Sequence, residues 1–244
     1  MFSLRAPFFV NNFLDTFLLL CIMVFVTKVL LGIFMKIFLD FDNVFVNARK
    51  ICRDYFRLFV PLGVPHEDAR VLYEETKCQV GRDDPRHFAK LLYERFPEVS
   101  QSRFERDLLH FKSKSAPYVF SDSRPFLERL QSKGLEIFVV SYGDRHGQLT
   151  KVSGSGLREF FKDVVIVPND NEKADAICSL LNSKSERGVF VDDSKSVVDH
   201  VKERIPHISV LHLTRFSDQK ASSKADVCVR TLDDVFRYIE EQKE

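Results

Sequence analysis

After residue 36 the chain carries five short apolar runs, at 37–41, 135–140, 164–167, 189–191 and 208–213. Runs of this length, without polar alternation, mark strands buried on both faces. Between the later runs lie helical stretches near 148–161, 173–181 and 196–204, and another at 232–240 closes the chain. Strand, helix and strand in alternation require right-handed crossovers, which produce a parallel sheet. The expected class is therefore α/β, with a Rossmann-like parallel sheet core.

One interval breaks the alternation. About ninety residues separate the first apolar run from the second, far more than one crossover helix needs. The intervening sequence reads as helical throughout. Ile51, Tyr55, Leu58 and Phe59 recur at helical spacing, and Asp84 followed by Pro85 supplies an N-cap and a first helical residue ahead of Phe88, Leu91, Leu92 and Phe96. Ser102, with Glu105 three residues on, has the form of a capping box opening a helix that carries Phe104, Leu108 and Phe111. A last helix over 125–133 ends at Gly134 in the C′ position and returns the chain to the sheet. The predicted organisation is a core made of 35–46 and 124–244, with an all-helical cap domain inserted over 47–123.

Residues 1–34 stand apart, because 17–35 is almost wholly apolar and long enough to approach a membrane span. Lys28 in the middle of that stretch would be costly at mid-bilayer, and no small-residue cleavage site follows it. The strand at Lys36 begins at once, leaving no linker between a lipid-embedded helix and a folded domain. The expectation is an extension dispensable to the fold, or a misassigned start, in a cytoplasmic protein. The alternative is membrane anchoring through residues 8–35.

Composition narrows the partners. The 36 Lys and Arg nearly cancel the 35 Asp and Glu, so the overall balance gives no sign of a nucleic-acid groove or a polybasic membrane patch. The 5 cysteines are widely spaced with no C-x-x-C pair, which points to reduced thiols rather than zinc or redox chemistry. His66, His87, His110, His146 and His200 likewise show no metal-ligand spacing.

In open parallel sheets ligands bind beyond the carboxyl ends of the strands. Four such places carry polar residues here: Asp40 and Asp42 after the first run, Ser141 after the second, Lys173 beyond the third, and Asp192 with Asp193 after the fourth. Carboxylates that converge on one pocket need a cation between them. A hard divalent ion with oxygen ligands, Mg²⁺ above all, would satisfy Asp40 together with the Asp192–Asp193 pair. Adding a lysine and a hydroxyl gives the parts that hold and transfer a phosphoryl group.

These residues, in this order, resemble the haloacid dehalogenase (HAD) superfamily. Asp40-Phe41-Asp42-Asn43-Val44 looks like its D-x-D-x-[T/V] motif, Ser141 like its second-strand Ser/Thr, Lys173 like its third-motif lysine and Asp192-Asp193 like its acidic fourth motif. The resemblance covers 36–244, and the helical insertion looks like the family's C1-type cap. It implies a Mg²⁺-dependent phosphomonoester hydrolase acting on a small phosphorylated metabolite, with Asp40 as the nucleophile that forms an aspartyl-phosphate. Asp42 would be the acid that protonates the leaving oxygen and later activates water. Mg²⁺ would sit on Asp40, the backbone carbonyl of Asp42, and Asp193 with Asp192 near, while Ser141 and Lys173 would bind phosphoryl oxygens. Asn43 stands where many members have Gly, which Asn tolerates because it accepts left-handed backbone. The acid often found four residues after the motif-four aspartate is replaced by Val197.

Taken singly, each residue has an ordinary use. Asp40 and Asp42 would cap a turn, Ser141 would open a loop, Lys173 would be a solvated helix residue, and Asp192-Asp193 would cap the next helix. Lys77, Arg82 and Arg86 would either meet an anionic tail of the substrate or form a solvated face. Competing activities on the same fold are a phosphomutase and a dehalogenase, the latter needing neither metal nor Asp42. A catalytically silent binding protein is the reading from outside enzymology.

Overall fold

The computed structural model describes residues 35–80, 85–183 and 185–242. The 1–34 extension, the Asp84 cap and Arg82 lie outside these residues, as does the side chain of Arg86. Among the described residues no helix is long and apolar enough to cross a membrane.

The core is a six-stranded sheet in the order β3-β2-β1-β4-β5-β6. The strands are β1 (Lys36–Leu39), β2 (Glu136–Tyr142), β3 (Asp163–Val167), β4 (Gly188–Asp192), β5 (Ser209–Leu213) and β6 (Val227–Val229). Every neighbouring pair is parallel. β1 lies in the centre, level with β2 on one side (Leu39 opposite Val139) and β4 on the other (Leu39 opposite Val191). That register brings the ends of β1 and β4 together, so Asp40 and Asp192 emerge side by side.

The apolar runs show no alternation because both sheet faces are covered. Ile37, Leu39, Val139 and Val191 pack against Phe126, Leu127 and Leu130, Val152, and Val235 and Phe236. These residues come from α5 (Ser123–Ser132), α6 (Arg145–Gly154) and α9 (Leu232–Glu241). On the opposite face Phe38, Phe138 and Phe190 meet Ala174 and Ile177, and Val197, Val198 and Val201. Those belong to α7 (Lys173–Leu180) and α8 (Lys195–Arg204). The result is a three-layer αβα sandwich of the expected class.

Between β1 and β2 the chain is helical: α1 (Ala48–Tyr55), α2 (His66–Val80), α3 (Pro85–Arg95) and α4 (Gln101–Ser113), with short 3₁₀ turns between. Their core is separate from the sheet's and aromatic, built on Phe56, Phe59, Phe88 and Phe104 with Leu72 and Leu92. The segments entering and leaving this helical cap run side by side, joined by Asn47 N–H to Tyr118 O at 2.8 Å and Phe120 N–H to Phe45 O at 2.9 Å.

Several expected boundaries move. The helix placed at 148–161 is α6, which begins at Arg145 and stops at Gly154. Gly156 has φ 74, and only a 3₁₀ turn at Arg158–Phe160 follows. The helix of Phe104 opens at Ser100, whose hydroxyl accepts from Arg103 N–H, so Ser102 is not its N-cap. An N-cap contact of this type is worth about 1 kcal/mol. Ser141 lies inside β2, one residue before its end, rather than after it. β6 carries too short an apolar signal to have been read as a strand.

Candidate active site

After Leu39 the backbone leaves the ladder with one more bond, Asp40 N–H to Val191 O at 3.0 Å. It then curls tightly, with Phe45 N–H on Phe41 O at 3.0 Å and Asn43 N–H on Val46 O at 2.8 Å. Asn43 sits at φ 56, the left-handed conformation expected of a residue in a position that favours Gly. The turn is anchored because Phe41, Val44, Phe45 and Val46 are wholly buried. Asp40 and Asp42 are thereby fixed from below by apolar packing.

Asp40, Asp192 and Asp193 converge, with one carboxylate oxygen from each lying within 4.8 Å of the others. Lys173, at the first position of α7, reaches into the same place and is 2% exposed. Its ammonium donates to Asp40 Oδ1 at 2.9 Å and to Asp192 Oδ2 at 2.8 Å. This is not a solvated helix lysine. Burial opposes its charge, but the carboxylates of Asp192 and Asp40 outweigh it and hold the ammonium above its usual range.

One lysine does not neutralise three carboxylates. Burial pushes Asp40 up to about 6, against the pull of Lys173. Burial, with the charges of Asp192 and Asp40, pushes Asp193 up to about 8 despite the hydrogen bond from Asn43. Asp192 is raised as well, by burial in the first place. A divalent cation would remove this frustration: the oxygen-only donors of Asp40, Asp192 and Asp193 suit a hard ion such as Mg²⁺ and are close enough together to share one.

Asp193 is held by contacts that sequence reasoning missed. Asn43 Nδ2 donates to its Oδ2 at 3.0 Å, and Gln219 Nε2 donates to its Oδ2 at 3.3 Å and its backbone O at 3.0 Å. His212 is wholly buried. Its Nδ1 accepts from Ser222 N–H at 3.0 Å, so Nε2 carries the proton and donates to Asp193 O at 3.1 Å. β5 and the loop after it therefore do the orienting work for which Val197, buried in the sheet's other face, offers no polar group.

Asp42 turns the other way. Lys151 Nζ lies 2.6 Å from both of its oxygens, and Gln148 Nε2 donates to Oδ2 at 3.2 Å. Both partners lie on α6 and face inward. Burial would raise Asp42, but Lys151 and then Gln148 outweigh it, and the carboxyl sits below its usual range. As held here Asp42 is a carboxylate that its ion pair makes a weaker base. To take or give a proton it must part from Lys151. Ser141 is 2% exposed at the end of β2, opposite Ile166 of β3.

Beside Asp42 a cavity of about 250 Å³ opens between core and cap. Its walls include Ile51, Tyr55, Leu108 and Phe111, with Gln148 and Lys151 on the core side. Lys77 is not part of its wall but sits 4.6 Å over the ring of Tyr73, which is. Among the described residues the three aspartates form the one group of acidic, histidine or cysteine side chains arranged to hold a metal.

A family model described as haloacid dehalogenase-like hydrolase matches residues 36–196, and the chain belongs to that family of hydrolases. No curated protein matches it. Among solved structures it is similar to a haloacid dehalogenase-like hydrolase of Burkholderia xenovorans LB400. That match has 17% identity and a TM-score of 0.70, covering 85% of this chain and 98% of the other. A HAD hydrolase of Bacillus subtilis bound to magnesium matches at 16% identity and TM-score 0.64, with 85% and 99% covered. A HAD phosphatase of Thermococcus onnurineus matches at 21% and TM-score 0.60, with 84% and 97% covered. At these identities the structures report the shared fold alone.

Proposed function

We propose that this HAD-family hydrolase is a Mg²⁺-dependent phosphomonoesterase that works through an aspartyl-phosphate on Asp40. The observation that carries the reading is the meeting of Asp40, Asp192, Asp193 and Lys173 at the ends of β1 and β4, with a second carboxylate, Asp42, two residues from the first. The relatives include a protein described as a phosphatase and another described as bound to magnesium, which supports both halves of the proposal.

Asp40 attacks phosphorus and the ester oxygen departs with a proton from Asp42. Asp42 then takes a proton from the water that attacks the aspartyl-phosphate, and Asp40 is released as a carboxylate. Lys173 and Ser141 hold the phosphoryl oxygens. Asp40, Asp193 and the backbone carbonyl of Asp42, with Asp192 beside them, would hold Mg²⁺, which supplies charge neutralisation for the phosphoryl group when bound. The expected substrate is a small phosphorylated metabolite rather than nucleic acid. Other relatives of the same fold are described as L-2-haloacid dehalogenases and a β-phosphoglucomutase. Asp42 favours hydrolysis of a phosphate ester over carbon–halogen cleavage, which has no use for a second acid there.

Phosphate release from a panel of monoesters, with Mg²⁺ and with excess chelator, tests the proposal. Turnover with the metal and loss of turnover in chelator are expected. Undiminished turnover in chelator would remove the metal site.

A further inference from the structure

We infer that the cavity between core and cap receives a carbon-rich, uncharged leaving group of about one aromatic ring, so that the preferred substrates are aryl or similarly apolar phosphate esters rather than sugar phosphates or nucleotides. The inference rests on the phosphatase reading above and adds the class of substrate to it. Three observations carry it.

The first is the wall. Ile51 and Tyr55 of α1 and Leu108 and Phe111 of α4 face the cavity with aliphatic and aromatic surface. The second is that much of the polar lining is engaged within the protein itself. Lys151 is spent on Asp42, and Gln148 Nε2 on Asp42 and on Tyr142 O at 2.7 Å. Ser115 Oγ donates to Lys112 O at 2.6 Å, and Asp144 Oδ2 accepts from Gly147 N–H at 2.7 Å. A sugar brings several hydroxyls, and each must find a partner when desolvated. Gln148 Oε1, buried without a hydrogen-bond partner, could take one hydroxyl but not several.

The third observation is charge. The cations Lys112 and Lys151 are matched by the anions Asp42 and Asp144. Lys112 Nζ and Asp144 Oδ2 flank the same glycine: a Cβ on Gly147 would stand 2.2 Å from the one and 2.9 Å from the other. Among the described residues of its lining, no surplus positive charge is left for the second phosphate of a bisphosphate or a nucleoside diphosphate. At about 250 Å³ the space falls below that of pockets for drug-sized ligands, and it opens on Asp42, where the leaving oxygen must be protonated.

The test separates binding from turnover. Benzylphosphonate and methylphosphonate are titrated calorimetrically into the full-length chain with Mg²⁺ present. Benzylphosphonate should bind tighter by roughly tenfold or more, the gain expected from burying one ring. Leu108→Asp should bring the ratio towards one. Should that variant fail to fold, the ratio in the unaltered protein still decides. In parallel, kcat/KM is compared for phenyl phosphate and ribose 5-phosphate, with the phenyl ester expected to lead. Equal affinities of the two phosphonates, or a higher kcat/KM for the sugar phosphate, would overturn the inference. Absence of turnover on every ester, with the benzyl preference intact, would instead sink the phosphatase reading and leave the pocket's chemistry standing.

Discussion

Two aspartates separated by one residue occupy opposite electrostatic settings. Around Asp40, the buried carboxylates of Asp40 and Asp192 share one lysine with half-buried Asp193 close by, and burial drives Asp40 up to about 6 and Asp193 up to about 8. Around Asp42, one carboxylate has a lysine and an amide to itself, and its carboxyl is held below the usual range. Environments that push like groups apart are how one site assigns different roles to the same side chain. In the proposed mechanism a cation would complete the Asp40 side, while the Asp42 side is already paired and would have to open for Asp42 to act as an acid.

The comparison breaks most severely at Lys173. Lys173→Met leaves Asp40 and Asp192 buried without their shared partner, and removal of one side of a buried pair costs about 3–5 kcal/mol. Urea unfolding of the metal-free protein measures it. A loss below about 1 kcal/mol would mean that water already relieves the cluster.

A second effect is expected from pH. The ordinary value for Asp193 is 3.8, and the folded protein raises it to about 8. Between these values the folded state keeps a proton that the unfolded chain has lost. Stability of the metal-free protein therefore falls as pH rises through this window, and the decline is complete above about 8. Mg²⁺ should reverse it and release protons on binding near neutral pH, which calorimetry in buffers of different ionisation enthalpy would detect. A metal-free stability that rises from about pH 5 to pH 8 would contradict the account.

The mildest change is on the Asp42 side. Lys151 and Asp42 are partly exposed, with side chains 11% and 27% accessible. Lys151→Ala should cost about 1–3 kcal/mol in stability, the range for hydrogen bonds to charged groups. It should also move the pH profile of turnover by freeing Asp42, and Lys151→Arg should restore much of the original profile. An unchanged profile in Lys151→Ala would mean that the pair is packing only.

The strands of the core were legible because β1, β2 and β4 are buried on both faces and so lack polar interruption. β6 was not, since three residues at the sheet edge, with Cys228 exposed, carry no such signal. The site divides in the same way. Asp40, Asp42, Asp192 and Asp193 are readable because strand ends point ligand groups in a known direction. Lys151, Gln148 and Gln219 are not: Lys151 meets Asp42 across 109 residues of chain and Gln219 meets Asp193 across 26, in contacts that only the assembled sandwich creates. The capping pattern at Ser102 misled because Ser100, two residues earlier, offers the same hydroxyl, and the chain's approach to α4 selects it.

The proposed mechanism places the phosphoryl group on Asp40 and the proton on Asp42. It is tested most directly in Asp42→Asn, which keeps the nucleophile but lacks the base that activates water. Turnover should fall by roughly 10²- to 10⁴-fold, the usual worth of general acid–base help, and fall less for esters whose leaving group needs no proton. A phosphorylated enzyme should accumulate, seen by mass spectrometry as phosphate on the peptide that holds Asp40, and should be missing when Asp40→Asn is added. Phosphate trapped on any other residue, or turnover surviving in Asp40→Asn, would contradict it.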